Sequence, residues 1–214
     1  MKGITCNSNV LGVMDLRRLV RILLVVVLTC LMAAPAFGRD ETLISGPVDH
    51  GGFGGPSIKV ADINGKTAFL MGGYGGWFIN HAFMIGGGGY GMVNDLKAPF
   101  EVDGKTLYYE LGYGGLMFEY VDNSHRLFHF TVNTLVGAGE LSYRSKNDAI
   151  FEKYADDTFF VLEPSFNVEL NVTTHFRVGL GVSYRYIDGL DIAGTTEEEL
   201  SGVSANLNFK FGAF

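Results

Sequence analysis

Polar and apolar residues alternate with a period of two along most of the chain beyond residue 56. From Phe176 to Tyr186 one face carries Phe176, Val178, Leu180, Val182, Tyr184 and Tyr186, and the other Arg177, Gly179, Gly181, Ser183 and Arg185. Successive side chains of a β-strand point to opposite faces, so the pattern predicts a strand with one oily and one polar side. Phe160–Val172 and Val203–Ala213 sort the same way. Five further strands are predicted at Ser57–Ile63, Thr67–Ile79, Ala82–Val93, Leu107–Val121 and Leu127–Tyr143. Most of these eight strands are far longer than the ~5–6 residues usual in soluble sheets. They suffice for a membrane crossing, which takes about 9–11 tilted residues.

The connections carry separate information. Asn80-His81, Asp122–Arg126 and Thr173–His175 are short, whereas Asn94–Thr106, Arg144–Asp157 and Ile187–Ser201 are long and polar. Short turns at one end and long loops at the other characterise outer-membrane barrels. Asn64-Gly65 is a short hairpin turn on the long-loop side and breaks the rule. Gly114-Gly115 predicts a bulge, where the alternation changes phase.

Composition narrows the class. The chain has 214 residues, 30 of them glycine, and a net charge of −7. An acidic chain lacks the basic stripe that neutralises phosphates, so nucleic acid is not expected as a partner. Residues 1–38 have the anatomy of a secretory signal peptide: Arg17, Arg18 and Arg21, then apolar Ile22–Met32, then small-residue cleavage sites after Ala36 or Gly38. Cleavage removes Cys6 and Cys30, and with them any thiolate or disulfide chemistry. It also leaves a net charge near −10. Residues 39–56 read as a flexible, glycine-rich lead-in, and residues 57–214 as the barrel.

Which face meets lipid follows from size and charge. An eight-stranded barrel is only just wide enough for ordinary side chains, so the face of Gly, Ser, Asn, Arg and Glu suits the inside. Turning the oily face outward also keeps Arg177 and Arg185 out of lipid, where each costs ~2–4 kcal/mol near the midplane. Matching oily faces across the short turns sets Val172 opposite Phe176, Glu163 opposite Arg185, and Arg177 diagonal to Glu169. The same matching sets Tyr120 opposite Phe128 and Glu119 opposite His129. An interior ion-pair network of Glu110, Glu119, His129, Glu163, Glu169, Arg177, Arg185 and Lys210 is therefore expected, because buried charges require partners.

Gly73-Tyr74-Gly75, Gly89-Tyr90-Gly91 and Gly112-Tyr113-Gly114 recur in three consecutive strands. A two-residue turn at Asn80-His81 pairs Gly75 with Gly86 and Gly73 with Gly88 on the lipid side, with Trp77, Met84, Met71 and Tyr90 around them. Two readings stand: a docking groove for a lipid chain or protein, or relief of strain in a tightly curved wall. Gly86-x-Gly88-x-x-Gly91 matches the dinucleotide fingerprint only formally, since no helix or βαβ unit follows. No cofactor and no metal is expected, the histidines lying at different hairpins without ligand spacing. The Glu119–His129 pair lacks a nucleophile, and Glu197-Glu198-Glu199 reads as a solvated charge run.

With its signal peptide, eight strands, alternating turn lengths and terminal Phe214, the chain resembles the small eight-stranded outer-membrane barrels of the OmpA/OmpX type. The resemblance implies an all-β, antiparallel up-and-down transmembrane barrel in a Gram-negative outer membrane, with periplasmic termini. It further implies contact with outer-membrane lipid and lipopolysaccharide, and a C-terminal aromatic read by the outer-membrane insertion machinery. Phe214 falls out of phase with Val203–Ala213, a departure from that signal. The expected function is structural or interactive and non-catalytic. An outer-membrane lipid-modifying enzyme and a soluble periplasmic ligand-binding barrel are the alternatives.

Overall fold

The structure, a computed structural model, describes residues 49–102, 104–145 and 153–214. The signal peptide expected at 1–38, residues 39–48 of the lead-in and residues 146–152 of the second long connection lie outside the described residues. The strands are β1 (His50–Ile63), β2 (Lys66–Ile79), β3 (Phe83–Met92), β4 (Lys97–Val102), β5 (Lys105–Asp122), β6 (Phe128–Ser145), β7 (Lys153–Thr173), β8 (Phe176–Asp188) and β9 (Gly202–Ala213). A one-turn helix, α1 (Glu197–Leu200), precedes β9.

All strand pairings are antiparallel. The sheet runs β3-β2-β1-β9-β8-β7-β6-β5-β4, and β3 also pairs with β5 from Phe83↔Tyr120 to Gly91↔Gly112. That pairing closes an eight-stranded up-and-down barrel and leaves no edge inside the wall. β4 stays outside the closure. Among the described residues it pairs only with the start of β5, at Lys97↔Tyr108 and Val102↔Lys105, inside the connection Asn94–Thr106 expected to be long and polar.

Five local expectations are corrected. β1 begins at His50, so the lead-in supplies the first half of a strand. Its glycines hide the alternation, but β1 pairs with both β2 and β9. The β2–β3 turn holds three residues, Asn80, His81 and Ala82, because Ile79 pairs with Phe83. The partners are therefore Gly75↔Gly87 and Gly73↔Gly89, and a one-residue slip turns Gly86 and Gly88 to the opposite face. No bulge occurs at Gly114-Gly115, where the β5–β6 register runs unbroken from Leu107↔Ser145 to Asp122↔Phe130. That register also places Tyr120 opposite Val132 and Glu119 opposite Asn133, four residues from the expected match. Across β7–β8 the register at Leu162↔Tyr186 and Ser165↔Ser183 leaves Glu163 opposite Arg185, as the sequence predicts. An irregularity near Val172 gives Phe176 to Thr173 instead.

Polarity is inverted relative to a soluble protein. Leu180 is 64% exposed and Val203 62%, while Arg185 and Glu169 are 0% exposed. On β6 the outward residues run Phe128, Phe130, Val132, Thr134, Val136 and Ala138 before Glu140 appears. At ~3.4 Å per residue and a tilt near 45° that stretch rises roughly 24 Å, against the ~25 Å apolar band of membrane barrels. Aromatic side chains ring the turn end of this band: Trp77, Phe83, Tyr120, Phe128 and Phe211 are all exposed. Phe83 meets Tyr120 at 5.2 Å and Phe176 meets Phe211 at 4.7 Å between ring centroids. Such girdles flank the apolar band where rings with one wet and one oily side are favoured.

Candidate functional site

Inward positions of seven strands bring the charged residues together in two clusters. In the first, Lys59 of β1 donates to Glu163 of β7 at 2.6 Å across the lumen. Glu163 also accepts from Ser183 at 2.8 Å and from the Tyr113 hydroxyl at 2.9 Å. In the second, Lys210 bridges Glu119, at 2.6 Å, and Glu169. Glu169 further faces His129 at 3.3 Å and accepts from Thr131, and Glu119 accepts from Asn133 and Tyr74. Each carboxylate thus has a cation and at least one neutral donor, the condition on which buried ion pairs hold together.

Seven of the eight expected network residues lie inside. Glu110 does not: it is on the outward face of β5 and exposed, because β5 keeps its phase where a bulge was expected. Partnerships also differ. Glu163 takes Lys59 instead of Arg185, and His129 takes Glu169, its register neighbour on β7, instead of Glu119. Lys59 was missed. Register arithmetic relates adjacent strands, and β1 and β7 face each other only across the lumen. The signal was the phase of Lys59 between Ser57 and Ala61, which puts it on the inner side.

The lumen is filled. Ser57 donates to Asn208 at 2.6 Å and Asn208 to Asn167 at 3.0 Å, spanning it with amide and hydroxyl groups. Between Lys59, Tyr74, Tyr90 and Glu163 there remains a space of about 10 Å³, room for one water at most. At the loop end the β8–β9 connection folds over the opening. Tyr143 donates to the Ala193 carbonyl at 2.9 Å, and Arg185 Nε donates to the Leu200 carbonyl at 2.8 Å. α1 starts in a capping box, Thr196 accepting from Glu199 N–H and the Glu199 carboxylate accepting from Thr196 N–H. The Glu197–Glu199 run is thereby structural: Glu197 accepts from Gly189 N–H at 2.7 Å, and three acids occupy a helix first turn.

The barrel has the architecture of the crystal structure of Neisserial surface protein A (NspA), with a TM-score of 0.53 at 12% identity, covering 78% of this chain and 99% of NspA. The fold is that of a small outer-membrane barrel. The N-terminal β-barrel domain of Pseudomonas aeruginosa OprF aligns over 76% of this chain and 96% of its own, at 13% identity and a TM-score of 0.48. Ail, the attachment invasion locus protein of Yersinia pestis, aligns over 76% and 97%, at 10% identity and 0.43. The sequence matches no protein-family model and none of the curated proteins.

On the outer wall the glycines expected to line a groove divide between the two faces. Gly73, Gly75 and Trp77 face outward, but Gly86 and Gly88 face inward beside the buried Met84 and Tyr90. The outward glycines next to Gly73 and Gly75 are Gly54 on β1, Gly87, Gly89 and Gly91 on β3, and Gly112 and Gly114 on β5. Two extremes stand out among them. A Cβ on Gly73 or Gly75 would meet a β1 carbonyl oxygen at 2.5 or 2.4 Å, so backbone approach excludes any side chain there. A Cβ on Gly54 would meet nothing within 4 Å, and one on Gly91 or Gly112 nothing nearer than 4.0 or 3.8 Å. Wall curvature accounts for the first and leaves the second unexplained. Beside Gly91 and Gly112, a recess of about 390 Å³ reaches Glu110 and Glu140 at the loop end of the band.

Among the described residues no group of three or more His, Cys, Asp or Glu is placed to hold a metal ion. Phe214 also turns inward, as its phase implies, packing on Phe53 and Phe78 at ring-centroid distances of 5.9 and 6.2 Å.

Proposed function

We propose that the protein is an integral barrel of a Gram-negative outer membrane, acting through structure and contact rather than catalysis. In this reading the turn end and both termini are periplasmic and the long connections are outside. The observation that carries it is the inverted polarity, with Leu180, Val182 and Val203 exposed while Glu119, Glu163, Glu169, Arg185 and Lys210 are buried. In water such a wall would expose an apolar patch far beyond the few hundred Å² soluble monomers carry. The filled lumen and the folded-over connection disfavour passive conduction. Lipopolysaccharide and phospholipid are the expected surroundings. The insertion machinery would read the terminal strand at Phe214 before that ring closes onto Phe53 and Phe78.

The test is gel mobility of protein refolded in detergent, unheated against boiled, alongside membrane fractionation. A shift on boiling and recovery in the outer-membrane fraction are expected. A chain that stays monomeric in buffer without detergent would overturn the reading in favour of a soluble barrel. Mass spectrometry of lipid A from cells with and without the protein tests catalysis, and an altered acyl pattern would contradict the non-catalytic reading.

The open glycines favour one addition, a wall groove over Gly54, Gly75, Gly87, Gly91 and Gly112 that seats an acyl chain of a membrane lipid. It lies at acyl depth and is flanked by Met71, Trp77, Ile85 and Leu116, all exposed. Replacing Gly54, Gly91 and Gly112 together by valine is expected to leave the heat-shift intact. The same variant should lose lipid retained by the purified barrel in native mass spectrometry. Unchanged retention would remove the groove.

A further inference from the structure

We propose that the turn-end mouth of the barrel binds a phosphate-class oxyanion on Arg177. The mouth opens into a cavity of about 640 Å³, bounded by Asn80 and His81 of the β2–β3 turn, Ser124 and His125 of the β5–β6 turn, Thr174 and Phe214. Arg177, the second residue of β8, lines its inner wall and is only 5% exposed.

The guanidinium is held but not satisfied. Its Nη2 donates to the Ser124 carbonyl at 3.3 Å, and its carbon sits 3.9 Å over the Phe214 ring centroid. Its Nε and Nη1 are buried with no acceptor. Stacking on Phe214 fixes the plane, and the Ser124 bond fixes one edge, so the guanidinium is held at the cavity wall with two nitrogens unpaired. Leaving charged donors buried without acceptors is expensive, and in native proteins such groups usually answer to an unseen ion or water. The nearest carboxylates deeper in the lumen, Glu119 and Glu169, are held by Lys210 and His129. The described lining of the mouth contains no Asp or Glu. Asp49 stands outside it, 3.7 Å from His81 on the exposed side.

Chemistry narrows the ligand. Arg177 offers N–H donors from within, and imidazole, hydroxyl and amide groups of three turns surround the opening. A tetrahedral anion with three or more acceptor oxygens can meet the guanidinium and a rim side chain at once, which suits this mouth better than a planar carboxylate. The volume leaves room for an organic part beside the anion. The same oxyanion can come from a soluble phosphate ester or from a phospholipid headgroup bent over the rim.

The experiment uses the full mature chain refolded in a non-ionic detergent, with the heat-shift as the control for folding. Titration with inorganic phosphate should give saturable one-site binding and shift the Arg177 Nε–H resonance in wild-type protein. R177Q is expected to weaken binding at least tenfold, whereas K66Q at the opposite end leaves it unchanged. Sodium acetate at equal concentration should compete poorly. One phospholipid per chain retained after extraction, and lost in R177Q, assigns the oxyanion to a headgroup. Saturation by phosphate of protein that retains no lipid assigns it to a soluble ester. Absence of any saturable binding together with no retained lipid, an unmoved Arg177 resonance at saturation, or equal affinity in R177Q would each overturn the proposal. The resonance arm needs no variant and stands even where R177Q fails to refold.

Discussion

Replacing Lys210 by methionine is expected to lower the unfolding free energy by about 3–5 kcal/mol, the range found when one partner of a buried ion pair is removed. Methionine matches the length of the lysine stem, so packing changes little and charge changes most. Lys210 is the cation that reaches both Glu119 and Glu169, and all three are essentially inaccessible to water. Without it two carboxylates face each other across the lower lumen with His129 alone opposite Glu169. Adding Glu119→Gln should recover more than half of the loss, because the amide removes the carboxylate that has no second cation. The midpoint of urea unfolding, followed by the heat-shift or by tryptophan fluorescence, reads both variants. Equal stability of Lys210→Met and wild type would mean that the interior is wet enough to solvate the acids.

The second large effect belongs to the outer wall. Leu180→Arg is expected to destabilise the refolded barrel by about 2–4 kcal/mol, since Leu180 sits mid-strand on the outward face of β8. Thr158→Arg, outward on β7 near the loop end of the band, should stay within about 1 kcal/mol. In a soluble protein both sites are exposed, and both arginines would lie within ~0.5 kcal/mol of wild type. The contrast between the two positions reports a depth-dependent solvent, which only a bilayer or micelle provides.

Much of this architecture was legible in the alternation alone. Period-2 patterning located all eight wall strands, because a membrane barrel carries its oily and polar faces on every strand without interruption. Strand ends were less legible where glycine replaces the oily residue. Gly51, Gly52, Gly54 and Gly55 gave β1 no visible phase, and the strand was placed seven residues late. Turn length was the other weak point. One residue more at Asn80–Ala82 moved Gly86 and Gly88 from the wall to the lumen, and the five-residue span after Asp122 moved the β5–β6 register by four. Parity survived that even shift, so Glu119 and His129 stayed inside although their partners changed.

What sequence could not supply is the third dimension of the lumen. Lys59 meets Glu163 and Lys210 meets Glu119 across a cylinder whose strands are not neighbours in order. Arg177 was recognised as an interior charge, but its stack on Phe214 and its two open nitrogens depend on how the turns and the terminus fold at the mouth. Phe214 shows the same limit. Its phase already pointed inward, yet its contacts with Phe53 and Phe78 follow only from the closure of β1 on β9.

The orientation of the wall can be measured directly with nitroxide labels at consecutive positions of β8 in a lipid bilayer. The account predicts that labels at Leu180 and Val182 collide freely with oxygen dissolved in hydrocarbon and poorly with a water-soluble nickel chelate, while a label at Ser183 is shielded from both. Nickel access at Leu180 and Val182, with oxygen contact instead at Ser183, would contradict it.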